Sequence, residues 1–127
     1  MKQMIMTPHA PAAIGTYSQA IKSGSLVYLS GQIPLVPATM EIVQGDFKAR
    51  VRRVFENVKA IAETAGGNMS QIVKLTIYLT SMSNFSIINE VMQEYFVEPY
   101  PARAVVAVAA LPKDVDVEVD AIMILGE

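Results

Sequence analysis

The 127-residue sequence predicts an α+β fold: one mostly antiparallel sheet with two helices on one face, in a single domain spanning residues 1–127. Three observations carry that prediction. Two segments place apolar residues at three- and four-residue spacing, the first with charges largely opposite, the pattern of amphipathic helices. The segments around them are short and apolar or alternate at period two, and Pro and Gly signals bound them, as strands require. The order is strands, helix, strand, helix, two strands, which one sheet covered on one face accommodates most economically. A chain of this length can bury a core without disulfide or metal staples.

Lys2 to Met6 reads as a short strand, and His9 to Gly15 as a Pro- and Ala-rich loop leading into Tyr17. Ser25 to Leu29 is the next strand, closed by Ser30 and Gly31. From Asp46 the period changes. Phe47, Val51, Val54, Phe55, Val58, Ile61, Ala62 and Ala65 form one stripe, with Asp46 as the N-cap and Gly66-Gly67 as the stop. Ile72 to Leu79 returns to period two, with Val73, Leu75, Ile77 and Leu79 on one face. Phe85, Ile88, Val91, Met92, Tyr95 and Phe96 form the second helical stripe, with Ser83 as a cap and Pro99 and Pro101 blocking continuation. Ala102 to Ala109 and Val115 to Leu125 are the last two strands.

The final strands hold the most telling residue. Arg103 is the only charged side chain between Tyr100 and Leu111, and a guanidinium in an apolar strand needs an anionic partner to offset desolvation. A hairpin looped at Leu111 to Asp114 places Val105 opposite Asp120 and Ala107 opposite Glu118. Arg103 then lies on the acidic face, about 13 Å along the strand from the level of Glu118, leaving room between them for a ligand. A one-residue slip reverses the face. A fixed cation, a bend and the carboxylates Asp116, Glu118 and Asp120 are the raw material of a site for a small acid.

Composition narrows the function classes. Hydrophobic residues make up 52% of the chain and charged residues 17%, and the mean hydropathy is +0.35, so the uncovered sheet face is expected to be buried by neighbouring copies. No run is long enough to span a bilayer and no secretory signal opens the chain, which predicts a cytoplasmic protein. There is no cysteine, hence no thiol nucleophile and no thiolate metal site. His9, the single histidine, has no companion ligands nearby for a metal. A net charge of −2 gives no general attraction to nucleic acid.

Three motifs resemble one family: APAAIGTYSQA near the N-terminus, SGQIP from Ser30 to Pro34, and PARAVVAVAALPKDVDVEVDAI near the C-terminus. In order and spacing they are similar to the signatures of the RidA/YjgF family of enamine and imine deaminases. The resemblance implies a chorismate-mutase-like subunit, a homotrimer with sites in inter-subunit clefts, and no metal or organic cofactor. It also implies that Arg103 grips a substrate carboxylate, as suits a planar, bidentate guanidinium, and that Glu118 holds or activates the attacking water. Tyr17, Ser30, Gly31 and Asn89 match substrate-binding positions.

Ala104-Val105 stands where many members have Ser-Cys, Ala107 where many have glutamate, and Thr16 where proline is frequent. Val105 keeps the backbone groups that its position would offer a ligand. The implied reaction is hydrolysis of 2-iminobutanoate, 2-iminopropanoate and similar imines, formed from enamines such as 2-aminocrotonate and 2-aminoacrylate, to 2-keto acids and ammonia. Pattern alone equally allows Arg103 in a structural ion pair at a subunit interface, and reads Asp116, Glu118 and Asp120 as a solvated face. Two other functions compete: a non-catalytic sensor of keto or amino acids, which the same arginine cleft would serve, and an endoribonuclease or translation inhibitor, as relatives in the family are described. Against the second stand the acidity and the lack of a basic-aromatic stripe.

Overall fold

The computed structural model describes residues 1–126 and forms a six-stranded sheet covered by two helices. The strands are β1 (Gln3–Ile5), β2 (Ala20–Ser23), β3 (Leu26–Gln32), β4 (Ile72–Leu79), β5 (Ala102–Ala107) and β6 (Val117–Ile124). The helices are α1 (Phe47–Thr64) and α2 (Phe85–Tyr95). The sheet order is β1-β2-β3-β6-β4-β5, antiparallel throughout except for the parallel pair β4 and β5. The α+β class and the two-helix layer are therefore as the sequence predicts.

Helix α1 starts where expected. The Asp46 carboxylate accepts from the Ala49 N–H at 2.9 Å, which satisfies one of the donors left free in a first turn. Its stripe, Val51, Val54, Phe55, Val58, Ile61 and Ala62, is fully buried and packs on the inner face of the sheet. Helix α2 is capped differently from the expectation. Ser83 lies in a 3-10 turn, Met82–Asn84, which Ser81 caps, and Asn84 precedes α2 without a side-chain cap. Phe55 joins the two helices by ring contacts with Tyr95 and Phe96 at 5.5 and 5.8 Å.

Strand β4 shows a local departure. A register shift between Ile72 and Lys74 buries Ile72 and turns Val73 outward, 42% exposed, because a bulge moves every preceding side chain to the other face. Strand β3 also runs past its expected end, through Ser30 and Gly31 to Gln32, with an irregularity between Leu29 and Gln32. Strand β2 fills part of the segment that the sequence left unassigned.

The largest correction concerns the last two strands, which form no hairpin. Strand β4 lies between them: Leu75 pairs with Arg103 on one side and Ala121 on the other, and Tyr78 pairs with Val106 and Glu118. The reason is the helix before β5. A strand, a packed helix and a second strand in one sheet return parallel by a crossover, so α2 sets β5 beside β4. The chain must then pass the end of β4 to reach its place next to β3. It does so through residues 108–116, with Val108 N–H on the Leu79 carbonyl at 2.8 Å and a turn in which Lys113 and Asp114 take positive φ.

Cα partners share a face, so Arg103 stands on the inner side of the sheet with Leu75 and Ala121, not on the acidic side with Glu118 and Asp120. The expected common face of Arg103 and the carboxylates does not exist within one chain. The outer face carries Tyr28, Lys74, Thr76, Tyr78, Glu118 and Asp120 and is only partly covered.

Candidate active site

Glu118 sits at the floor of a cleft of about 560 Å³ whose walls include Tyr17, Ser30, Gly31, Ile33, Met40 and Lys113. Its strand neighbours Val117 and Val119 point into the core, which fixes the backbone and directs Glu118 outward. The carboxylate is partly buried and makes no ion pair among the described residues. Burial pushes its proton affinity above the ordinary carboxylate range, and the nearby Asp120 charge adds to that. Both effects disfavour the anion.

Gly31 is the reason the carboxylate fits. A Cβ on residue 31 would coincide with Glu118 Oε2 and crowd its Cδ at 2.9 Å. Glycine is thus required here by close approach, not by an unusual φ. Ser30 is held from both sides: its hydroxyl donates to the Ser18 carbonyl at 2.5 Å and its N–H to the Gln19 carbonyl at 2.9 Å. Tyr17 is 52% exposed at the cleft mouth.

Arg103 belongs to a second cleft, of about 410 Å³, with Asn89, Met92, Gln93, Tyr100 and Pro101. Its guanidinium lies 5.3 Å from the centroid of the Phe85 ring and donates to Met92 Sδ at 3.2 Å. These contacts orient the fork, since a cation over an aromatic face is attracted to it, but they leave its charge unneutralised. No carboxylate lies within 4.0 Å of Arg103 among the described residues, whereas Arg50 and Arg52 each hold one, Asp116 and Glu94.

The predicted residues thus fall into two groups. Tyr17, Ser30, Gly31 and Glu118 surround one cleft, Asn89 and Arg103 line the other, and the two sets of lining residues share no member. Val105 lines neither. Its side chain packs against the core beside Ile77, while the bond from Val108 to Leu79 and the two-residue alternation of a strand turn the Val105 N–H and carbonyl toward the free sheet edge.

Two residues that shape the first cleft escaped the sequence reading. Gln19, 2% exposed, accepts from Thr7 N–H at 2.7 Å and donates to the carbonyls of Thr7, Ala10 and Pro11, pinning the loop that carries Tyr17. Asn57, fully buried, donates to the carbonyls of Ile33 and Leu35 at 3.3 and 3.1 Å and accepts from Arg53, which anchors the segment after Gly31. The signal for Asn57 was available: a polar residue three after Val54 and four before Ile61 sits inside an apolar stripe, and burial there requires partners.

No group of three or more His, Cys, Asp or Glu suited to a metal ion occurs among the described residues, and no helix is long and apolar enough to cross a membrane. The chain is 52% identical over 122 residues to a RutC family protein of Pyrococcus horikoshii, covering 96% of this chain and 97% of that one. It is 44% identical over 124 residues to a 2-iminobutanoate/2-iminopropanoate deaminase of Dermatophagoides farinae, covering 98% and 97%. The crystal structure of Escherichia coli TdcF with bound serine superposes with a TM-score of 0.92 at 44% identity, covering 98% and 99%. A family model described as Endoribonuclease L-PSP matches residues 7–125, and on this evidence the chain belongs to that family, the YjgF/RidA/RutC family that its three motifs resemble.

Proposed function

We propose that this protein hydrolyses 2-imino acids, the tautomers of enamines such as 2-aminoacrylate and 2-aminocrotonate, to 2-keto acids and ammonia, in clefts completed between subunits of a homotrimer. The observation that carries the reading is the pair of unsatisfied charges: a carboxylate in one cleft and a guanidinium in the other, neither with an ionic partner among the described residues and each on a different face of the sheet. A substrate carboxylate supplies the partner of Arg103, and the imine carbon with its water supplies the work for Glu118. Because the two clefts are separate in one chain, a second copy brings them together. The relative named as a 2-iminobutanoate/2-iminopropanoate deaminase and the serine bound to TdcF support a small amino-acid-like ligand.

Each group has a definite role. Arg103 binds the carboxylate by two parallel N–H···O bonds, with Asn89 beside it. Glu118 accepts a proton from water as the oxygen forms its bond to the imine carbon. Starting from the protonated imine, the tetrahedral intermediate takes that proton on nitrogen; the C–N bond then breaks as the hydroxyl oxygen forms the keto C=O and gives its proton to Glu118, and ammonia leaves. Ser30, Gly31 and Tyr17 shape the wall against which the substrate is held. The reaction is spontaneous in water, so orientation and one positioned base suffice.

The direct test couples a dehydratase that generates 2-aminoacrylate or 2-aminocrotonate to timed release of keto acid, with and without the protein. Acceleration proportional to protein concentration is expected. Release at the uncatalysed rate, together with saturable binding of the keto acid, would sink the hydrolase reading and favour the sensor. In the same assay Gly31→Ala should lower kcat/KM by about a hundredfold, the scale set by misplacing a reacting group by an ångström. The far-UV spectrum should be unchanged, since the atoms displaced are the end of one side chain.

A further inference from the structure

On the outer face of the sheet, Glu118 has two neighbours that the reaction just described leaves unused. Asp120 follows it by two residues on β6 and so shares its face at a spacing of about 7 Å. Tyr78 of β4 is the Cα partner of Glu118, and its hydroxyl reaches diagonally to donate to Asp120 Oδ2 at 2.9 Å. Diagonal cross-strand contacts of this kind lie within reach of aromatic side chains. The Asp120 carboxylate is partly buried and forms no ion pair among the described residues.

The other groups that could act on Glu118 are differently placed. Asp116 is neutralised by two bonds from Arg50, at 3.0 and 2.9 Å. Lys113 and Tyr17 line the cleft but are exposed to solvent. Lys74 lies two pairs beyond Tyr78 on β4, next to Ile122 rather than Glu118, and Tyr28 of β3 also pairs with Ile122. On its outer face β5 offers only Ala102, Ala104 and Val106. Asp120 is therefore the one charge fixed beside Glu118 among the described residues.

We propose that Tyr78 and Asp120 form a positioning pair for Glu118: the tyrosine hydroxyl locks the Asp120 carboxylate on the shared face, and that fixed charge, added to the effect of burial, raises the pH range in which Glu118 takes a proton from water. A like charge close by in a half-covered site makes a carboxylate a stronger base, whereas a free aspartate would swing toward solvent and be screened. The inference rests on Glu118 being the base of the proposed reaction and deepens that reading.

The test reads Glu118 and turnover separately. Carbon-13 NMR titration of the Glu118 side chain and the pH dependence of kcat/KM for imine hydrolysis are measured for the native protein and for Asp120→Asn, Asp120→Glu and Tyr78→Phe. Asp120→Asn should move both the Glu118 midpoint and the acid limb of kcat/KM to lower pH. Tyr78→Phe should move both the same way by less, and Asp120→Glu should restore most of the native midpoint, which a merely structural role would not do. A Glu118 midpoint unchanged in Asp120→Asn, with the fold intact by melting temperature, overturns the pair. A midpoint that moves while the acid limb stays fixed overturns instead the assignment of Glu118 as the base.

Discussion

Replacing Glu118 by glutamine is expected to lower kcat/KM for imine hydrolysis by about 10²- to 10⁴-fold, the usual worth of one positioned acid-base group. The amide fills the same space beside Gly31, so the loss is of proton transfer and not of shape. It cannot take the proton of the attacking water, nor return one to the departing nitrogen. Progress curves from the coupled dehydratase assay give the ratio directly. An undiminished rate would remove Glu118 from the mechanism.

The same substitution should stabilise the fold at neutral pH. The folded Glu118 holds its proton more tightly than an ordinary carboxylate, mainly through burial and then through Asp120. A group whose folded pKa is raised gives stability that is fully present below its unfolded value, about 4.3, and lost as pH rises through its folded value. At pH 7 the native side chain is ionised in a place that disfavours the ion, and glutamine removes that cost. The melting temperature of Glu118→Gln should therefore exceed the native one at pH 7, with the gap closing as the pH falls through the raised folded value and gone by about 4. Lost activity with gained stability marks a residue kept for chemistry and not for the fold.

What the sequence made legible follows from how local each signal is. The Asp46 cap and the stripe from Val51 to Ala62 are written within one helix, and β4 lies within one run of alternating residues, so both were readable. The pairing of β5 was not. Nothing between Ala102 and Ile124 records that α2 carries the chain back parallel to β4, and a hairpin is the default for two successive strands. That single topological fact moved Arg103 from the face of Glu118 to the opposite one. The residues of the site survived the error because their identification rested on motifs, while the geometry relating them did not. Gln19 and Asn57 were missed for a related reason: their partners are backbone carbonyls remote in sequence, and only the Asn57 position inside an apolar stripe announced a buried amide.

The separation of Arg103 from Glu118 yields the other large expected effect. Arg103→Ala should lower kcat/KM by about 10²- to 10³-fold, mostly through KM, as expected for losing a charge-assisted, bidentate contact to a carboxylate. Stability should change by only about 1 kcal/mol, because the side chain is exposed and gives up a contact with the Phe85 ring and one with Met92, not an ion pair. Arg103→Lys should recover only part of the affinity, since an ammonium keeps the charge without the fork.

Mixing the two defective proteins is the stronger experiment. If each working site takes Arg103 from one subunit and Glu118 from the next, then subunits of Arg103→Ala and Glu118→Gln, unfolded together and reassembled in equal amounts, form some sites in which both residues are native. In a closed ring with random order this is about a quarter of all sites, so activity should return to about a quarter of the native value, from two preparations each nearly inactive. Were both residues drawn from one chain, every site would lack one of them. Reassembled mixtures with no activity above the separate variants would place the complete site within a single subunit and overturn the inter-subunit cleft.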